Sequence, residues 1–207
     1  MQGWDRARTD KEAGWMPRDS IDNVHALCAT AASEDWFLIG NLPSAFRAHA
    51  DWTAGAYTMM EQRIAPRLLV PPHTHAFDDH VSYVISGRIG FRTGDKEYEL
   101  KAGESIFRPR GVPHTLWNPS DDTAVMLELT SPGRLEEYIG ELRALGYANQ
   151  ATSENVAELA RRYGVEFDTA WVDDLCARHG VIAGASFWQA AEDSVAEKPG
   201  GLDGTRE

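Results

Sequence analysis

The chain has 207 residues, 43% of them hydrophobic and 25% charged, with 20 basic against 32 acidic side chains and a formal net charge of -12; this suits one ordinary domain with extensions and a buried core. Such acidity repels phosphate backbones and acidic bilayers, and the longest stretch free of Asp, Glu, Lys and Arg, the 13 residues His179–Ala191, is too short to span a membrane, so neither nucleic acid nor membrane is an expected partner. The opening MQGWDRARTDKEAG has no apolar signal region, and the two cysteines, Cys28 and Cys176, make no disulfide framework; both features lead us to expect a cytoplasmic protein.

Residues 1–40 read as an N-terminal arm, with Trp4, Trp15 and Trp36 set among charges and a short strand over Trp36–Ile39. Free tails expose few tryptophans, so the arm is expected to cross to a second subunit in a homodimer. Residues 41–132 read as β. Runs at Gly55–Ile64, Leu68–His75, Val81–Ser86, Ile89–Arg92, Glu97–Leu100, Glu104–Arg108, His114–Trp117 and Ala124–Thr130 alternate with Gly, Pro and Asn turn signals. Spacings near 8–12 residues predict a sandwich or barrel.

Residues 133–180 switch to a helical period and read as a C-terminal helical extension packed outside the barrel. Leu135, Tyr138, Ile139, Leu142 and Leu145 share one face of a helix over Arg134–Leu145, with Gly146 as its stop. A second helix runs from a cap at Ser153 to about Tyr163, and a third covers Thr169–Arg178. Residues 181–207, rich in Gly, Pro and charge, read as a partly disordered tail.

Three of the seven histidines fall within eight residues, His73, His75 and His80. His73 and His75 stand two apart on a predicted strand, so both imidazoles face one side of the sheet. Neutral imidazoles converging in this way suit a transition metal. The first stretch reads HxH, four residues, His80, six residues, Gly87. The second reads Gly103, five residues, Pro109-Arg110-Gly111, two residues, His114, three residues, Asn118.

These two stretches resemble the paired motifs of the cupin superfamily, over roughly residues 55–132. Upstream, Thr53–Tyr57 is similar to the leading strand of quercetin-dioxygenase-like monocupins. The resemblance implies an all-β core, a cupin-type β-barrel or jelly roll, followed by C-terminal helices. It also implies one divalent transition metal ion per chain (Fe, Ni, Cu, Mn or Zn) held by His73, His75, His80 and His114. Two positions depart from the family pattern. Its leading Gly falls on Arg67, a turn position expected to tolerate change, and its Glu ligand falls on His80. Asp79 competes with His80 as third ligand; His80 keeps the six-residue run to Gly87.

Four neutral ligands leave the metal its full charge and favour an anionic, chelating substrate. The resemblance implies a metal-dependent dioxygenase acting on a small aromatic or enolisable compound, such as a β-dicarbonyl or a flavonol, with O2 as co-substrate. The alternatives are an O2-independent isomerase, cyclase or lyase, and a non-catalytic cupin that binds a small ligand. With no carboxylate at position 80, another group takes the substrate proton, or the substrate arrives as an anion. The candidates are Asp79, with Asp78 beside it, and Glu61 and Glu128 where their strand faces point inward.

Overall fold

The structure is a computed structural model, and it describes residues 36–184. Among the described residues thirteen strands, three α-helices and one 3-10 turn, Asp51–Thr53, follow one another: β1 Phe37–Ile39, β2 Leu42–Ala48, β3 Thr58–Ile64, β4 Leu68–Leu69, β5 His73–His75, β6 Asp79–Ser86, β7 Arg88–Thr93, β8 Lys96–Lys101, β9 Ser105–Arg108, β10 His114–Trp117, β11 Ala124–Ser131, α1 Leu135–Tyr147, α2 Ser153–Arg162, β12 Val165–Phe167, α3 Val172–His179 and β13 Ile182–Ala183. One sheet has the order β1-β2-β3-β11-β6-β9; the other runs β12-β5-β10-β4-β13, with β7 on β10 and β8 on β7. The expected all-β core with C-terminal helices is what the chain forms. Among the described residues no helix is long and apolar enough to cross a membrane.

Strand alternation sorts the first sheet into layers. On its inner face Thr58, Thr130, His80 and Arg108 are cross-strand partners, and Met60, Glu128, Ser82 and Ile106 form the next row. Below them Ile64, Val84, Met126 and Ala124 join Ile89, Phe91 and Leu116 in a fully apolar base. The polar end of the barrel interior is therefore a continuous layer, set by register.

Several elements differ from the sequence reading, each for a local reason. The run Leu68–His75 is two strands, because Pro71 and Pro72 have no N–H to give a ladder. Strand β2, which begins right after the turn at Gly40, falls outside every run the alternation picked out. Helix α1 runs through Gly146 to Tyr147, and α2 is capped by Thr152, whose hydroxyl accepts the Asn155 N–H at 3.2 Å. Helix α3 starts at Val172, and the preceding stretch supplies β12, which pairs with β5. Ile182–Ala183, read as the start of a tail, pairs in parallel with β4. The expected strand at Trp36–Ile39 is β1, paired with β2. The rest of the expected arm, with Trp4 and Trp15, and the tail beyond Gly184 lie outside the described residues.

Arg67 has φ +57°, the left-handed region in which glycine is favoured. It is held there by its side chain, which donates to Pro119 O at 2.7 Å and to Asp121 at 2.9 Å. The turn thus demands a conformation that a β-branched residue would strain, and Arg67 compensates through its guanidinium. Asn118 closes the same corner, donating to Ile64 O and Asp122 O at 2.9 and 2.7 Å.

Gly90 lies under the indole of Trp117, and a Cβ built there would stand 2.1 Å from that ring. Gly140, on the exposed side of α1, has nothing within 4 Å of such a Cβ. Gly90→Ala is expected to destabilise the fold by about 3 kcal/mol or more, as overpacking at a rigid contact does. Gly140→Ala is expected to stabilise it by about 0.5–1 kcal/mol. Urea denaturation of the two variants beside the parent protein checks both signs.

Candidate metal centre

The HxH strand β5 and the strand β10 are neighbours, with His73 directly opposite His114. Alternation carries His75 to the same side as His73, and the ligand atoms of His73, His75 and His114 lie within 4.8 Å of one another. His75 and His114 are buried and His73 partly so. His80 comes from the facing sheet, its ring centroid 4.3 Å from that of His75 and 5.4 Å from that of His114. It stands beside the three-histidine group, outside the 4.8 Å cluster.

The tautomers follow from the partners. His73 Nδ1 is 2.7 Å from Pro71 O, His114 Nδ1 is 3.0 Å from Val112 O, and His80 Nδ1 is 2.6 Å from Glu128 Oε1. A carbonyl or an ionised carboxylate only accepts, so each Nδ1 carries a proton and Nε2 is the atom left to serve as a ligand. The Nε2 atoms of His80 and His114, and Nδ1 of His75, are buried without a hydrogen-bond partner. Anchored N–H groups behind buried lone pairs are the arrangement that orients histidines on a metal, so the residues fit a transition-metal ion.

Burial pushes the imidazoles of His73, His75 and His114 down, His73 to about 4, because no anion inside the cluster compensates a charge there. Glu128 behaves oppositely. Burial raises its carboxyl, but the adjacent Arg108 guanidinium, with hydrogen bonds from His80 and Ser82, outweighs burial and brings it to about 2. Arg108 Nη2 also donates to Ser82 Oγ at 2.7 Å, and Arg108 and Glu128 are 2% and 4% exposed. Both faces of this ion pair are thus inside the protein.

The carboxylates singled out in the sequence have different fates. Glu128 points inward. Glu61 points outward and accepts from Arg47 at 3.0 Å, so it does not reach the histidines; Gln62 takes the inner position. Asp79 is gripped by Arg110 through Nε, Nη2 and the backbone N–H at 3.1, 2.8 and 2.8 Å, and that guanidinium lowers its carboxyl. It faces away from the imidazoles, correcting its assignment as the nearest base. Its neighbour Asp78 is the buried one, with Oδ2 3.8 Å from His75 Nδ1 and its carboxyl raised by burial.

Sequence reasoning missed Arg108, although its strand parity with Ile106 and its register opposite His80 mark it as an inward cation. It also missed the lid. Leu135, Tyr138, Ile139 and Leu142 of α1, with Val165 and Phe167 of β12, wall a cavity of about 140 Å³ that opens onto His73, His75, His80 and Arg108. Helix α1 and strand β12 therefore complete the site as well as packing on the barrel.

Residues 60–130 match the family model of the Cupin domain. The barrel has the cupin fold. An RmlC-like cupin from Shewanella frigidimarina NCIMB 400 is 19% identical with a TM-score of 0.46, covering 53% of this chain and 94% of that one. KdgF from Halomonas sp. is 18% identical with a TM-score of 0.45, covering 50% and 92%. A predicted oxalate decarboxylase from Thermotoga maritima is 18% identical with a TM-score of 0.42, covering 44% and 80%. At these identities and scores the likenesses carry no weight for the chemistry of this chain. No curated protein matches the chain.

Glu128→Gln is expected to cost about 3–5 kcal/mol by leaving Arg108 buried and unpaired, and the double variant Arg108→Met/Glu128→Gln to recover much of that loss. A denaturation double-mutant cycle measures it. The metal-free protein is also expected to lose stability in mild acid. The three cluster histidines have folded values below the unfolded 6.5, so their contribution is complete above about pH 6.5. For His73 it is lost as the pH falls to about 4, at up to about 1.4 kcal/mol per pH unit for each such group. Urea midpoints between pH 7.5 and 4 check this, and His114→Gln should flatten the profile.

Proposed function

We propose that this cupin is a metal-dependent enzyme of the dioxygenase type, acting on a small aromatic or enolisable compound bound in the barrel cavity. The observation that carries the reading is the set of anchored histidines. His73, His114 and His80 each donate Nδ1–H to a fixed acceptor, and Nε2 of His80 and of His114 is buried without a hydrogen-bond partner beside the other rings. His73, His75 and His114 would hold the ion, with His80 as the fourth donor and Glu128 as the anion behind it. When bound, a divalent transition metal in an all-neutral donor set supplies strong Lewis acidity, and a redox-active one supplies access to O2.

The chain's own residues define what can enter. The cavity of about 140 Å³ suits a small molecule, and its wall is mostly apolar away from the histidines, Arg108, Glu128, Gln62 and Asn41. Each carboxylate first considered as a base is held by an arginine: Glu61 by Arg47, Asp79 by Arg110 and Glu128 by Arg108. A substrate that is already an enolate or phenolate at neutral pH needs no such base, and this favours acidic β-dicarbonyl or flavonol-like compounds. Glu128, acting through His80, orients that imidazole; Leu142 and Phe167 exclude water from the cavity.

The test begins with metal analysis of freshly purified protein. One equivalent per chain is expected, with a loss of at least tenfold in metal affinity for His73→Ala, His75→Ala and His114→Ala, and retention in His179→Ala. Oxygen-electrode assays with a β-dicarbonyl and a flavonol then decide the reaction class. Consumption of one O2 per substrate supports dioxygenation. Turnover at the same rate without O2 would replace it by an isomerase or lyase.

A further inference from the structure

His73, His80 and His114 each have a fixed acceptor behind Nδ1; His75 does not. Its Nδ1 is buried without a hydrogen-bond partner, and Asp78 Oδ2 lies 3.8 Å away. Oδ1 of Asp78 is likewise buried without a partner, and the two residues are 4% and 3% exposed. The great majority of buried polar side-chain atoms in folded proteins are paired, so a donor and an acceptor left open side by side call for a reason. At 3.8 Å they are not hydrogen-bonded, yet a shift of under about 1 Å would bring them into range.

The chain between these two residues is pinned. His75 O accepts the Gly111 N–H at 2.7 Å, and the Ala76 N–H donates to Gly164 O at 2.8 Å. Phe77 packs on Gly164, where a Cβ would stand 2.6 Å from its ring. Asp79 turns to the backbone and guanidinium of Arg110, which leaves Asp78 directed at His75. Among the described residues no lysine or arginine pairs with Asp78. His75 lines the cavity and Asp78 does not, so the imidazole stands between the carboxyl and the space a ligand would fill. With Nδ1 on the Asp78 side, Nε2 is the nitrogen left for an ion. An ion on Nε2 makes Nδ1–H a stronger donor, and a carboxyl held behind it fixes the rotation of the ring.

We propose that Asp78 is the positioning residue of His75, accepting its Nδ1–H in the loaded site and setting the ring with Nε2 toward the ion. This role, which rests on the metal-dependent function proposed above, keeps the carboxyl outside the donor set. Without metal the same residue is a liability, because a buried carboxyl lacking a partner destabilises the fold. Zn2+ titration calorimetry of the full chain and thermal denaturation of its metal-free form test the two sides together. Asp78→Leu is expected to bind Zn2+ about tenfold or more weakly than the parent, while its metal-free form melts no lower. Asp78→Asn, whose amide oxygen still accepts Nδ1–H, is expected to lie between the two in affinity. Glu158→Gln, which removes an exposed charge on α2, should change neither quantity. Proton–nitrogen NMR spectra of the Zn2+-loaded parent are expected to show His75 protonated on Nδ1, with a hydrogen-bonded shift that Asp78→Leu removes and that His73, His80 and His114 keep. An affinity in Asp78→Leu equal to the parent's would overturn the role of Asp78 and leave the metal-dependent reading standing. Loss of all binding in both variants would also overturn it, by making the carboxyl a ligand. A parent that binds no metal would overturn both. If Asp78→Leu does not fold, Asp78→Ala takes its place with the same expectations.

Discussion

The Arg108–Glu128 ion pair is the constraint on which the site depends. It joins β9 to β11 across β6, inside the barrel, where neither charge could remain without the other. With the pair intact, Glu128 stays an acceptor and the His80 proton stays on Nδ1, so the Nε2 lone pair faces the cluster. With the pair absent, either the charge, the tautomer or the strand spacing would change. The arrangement also decides local charge. One cation and one anion cancel, and four imidazoles contribute nothing while neutral, so a bound metal would keep its charge for the substrate.

The strands of the barrel and the histidines were readable because both rest on short-range geometry. A two-residue period puts His73 and His75 on one face, and the turn-forming glycines and prolines mark the corners around them. The inward direction of Glu128 was left open because alternation gives two faces without saying which is inside; the neighbouring polar rows settle it. Asp78 and Asp79 were not separable for the same reason, since adjacent residues at a strand start differ only in which way the first side chain points. Arg108 was hidden by convention more than by physics. A charged residue before a proline reads as a turn, and only the register with His80 shows that it is buried.

The helices were readable as helices and unreadable as walls. Leu135, Tyr138, Ile139 and Leu142 announce one apolar face, but periodicity does not say what that face covers. Here it covers the mouth of the barrel, together with a strand too short to be signalled by alternation. The turn at Arg67 shows the same limit from the other side. Its backbone keeps the left-handed conformation expected of glycine, and the long-range bonds to Pro119 and Asp121 that make this tolerable are invisible to a local reading.

The cavity's two halves come from different stretches of chain. The imidazoles stand on strands that are finished by Trp117, while Tyr138, Leu142 and Phe167 follow after residue 134. Reactivity and admission are therefore encoded in separate segments, joined by one strand and one turn. Changes in the later segment can reshape what the cavity accepts without disturbing a single histidine. A barrel built this way can acquire new substrates by exchanging its cover, while the strands that carry the chemistry stay as they are.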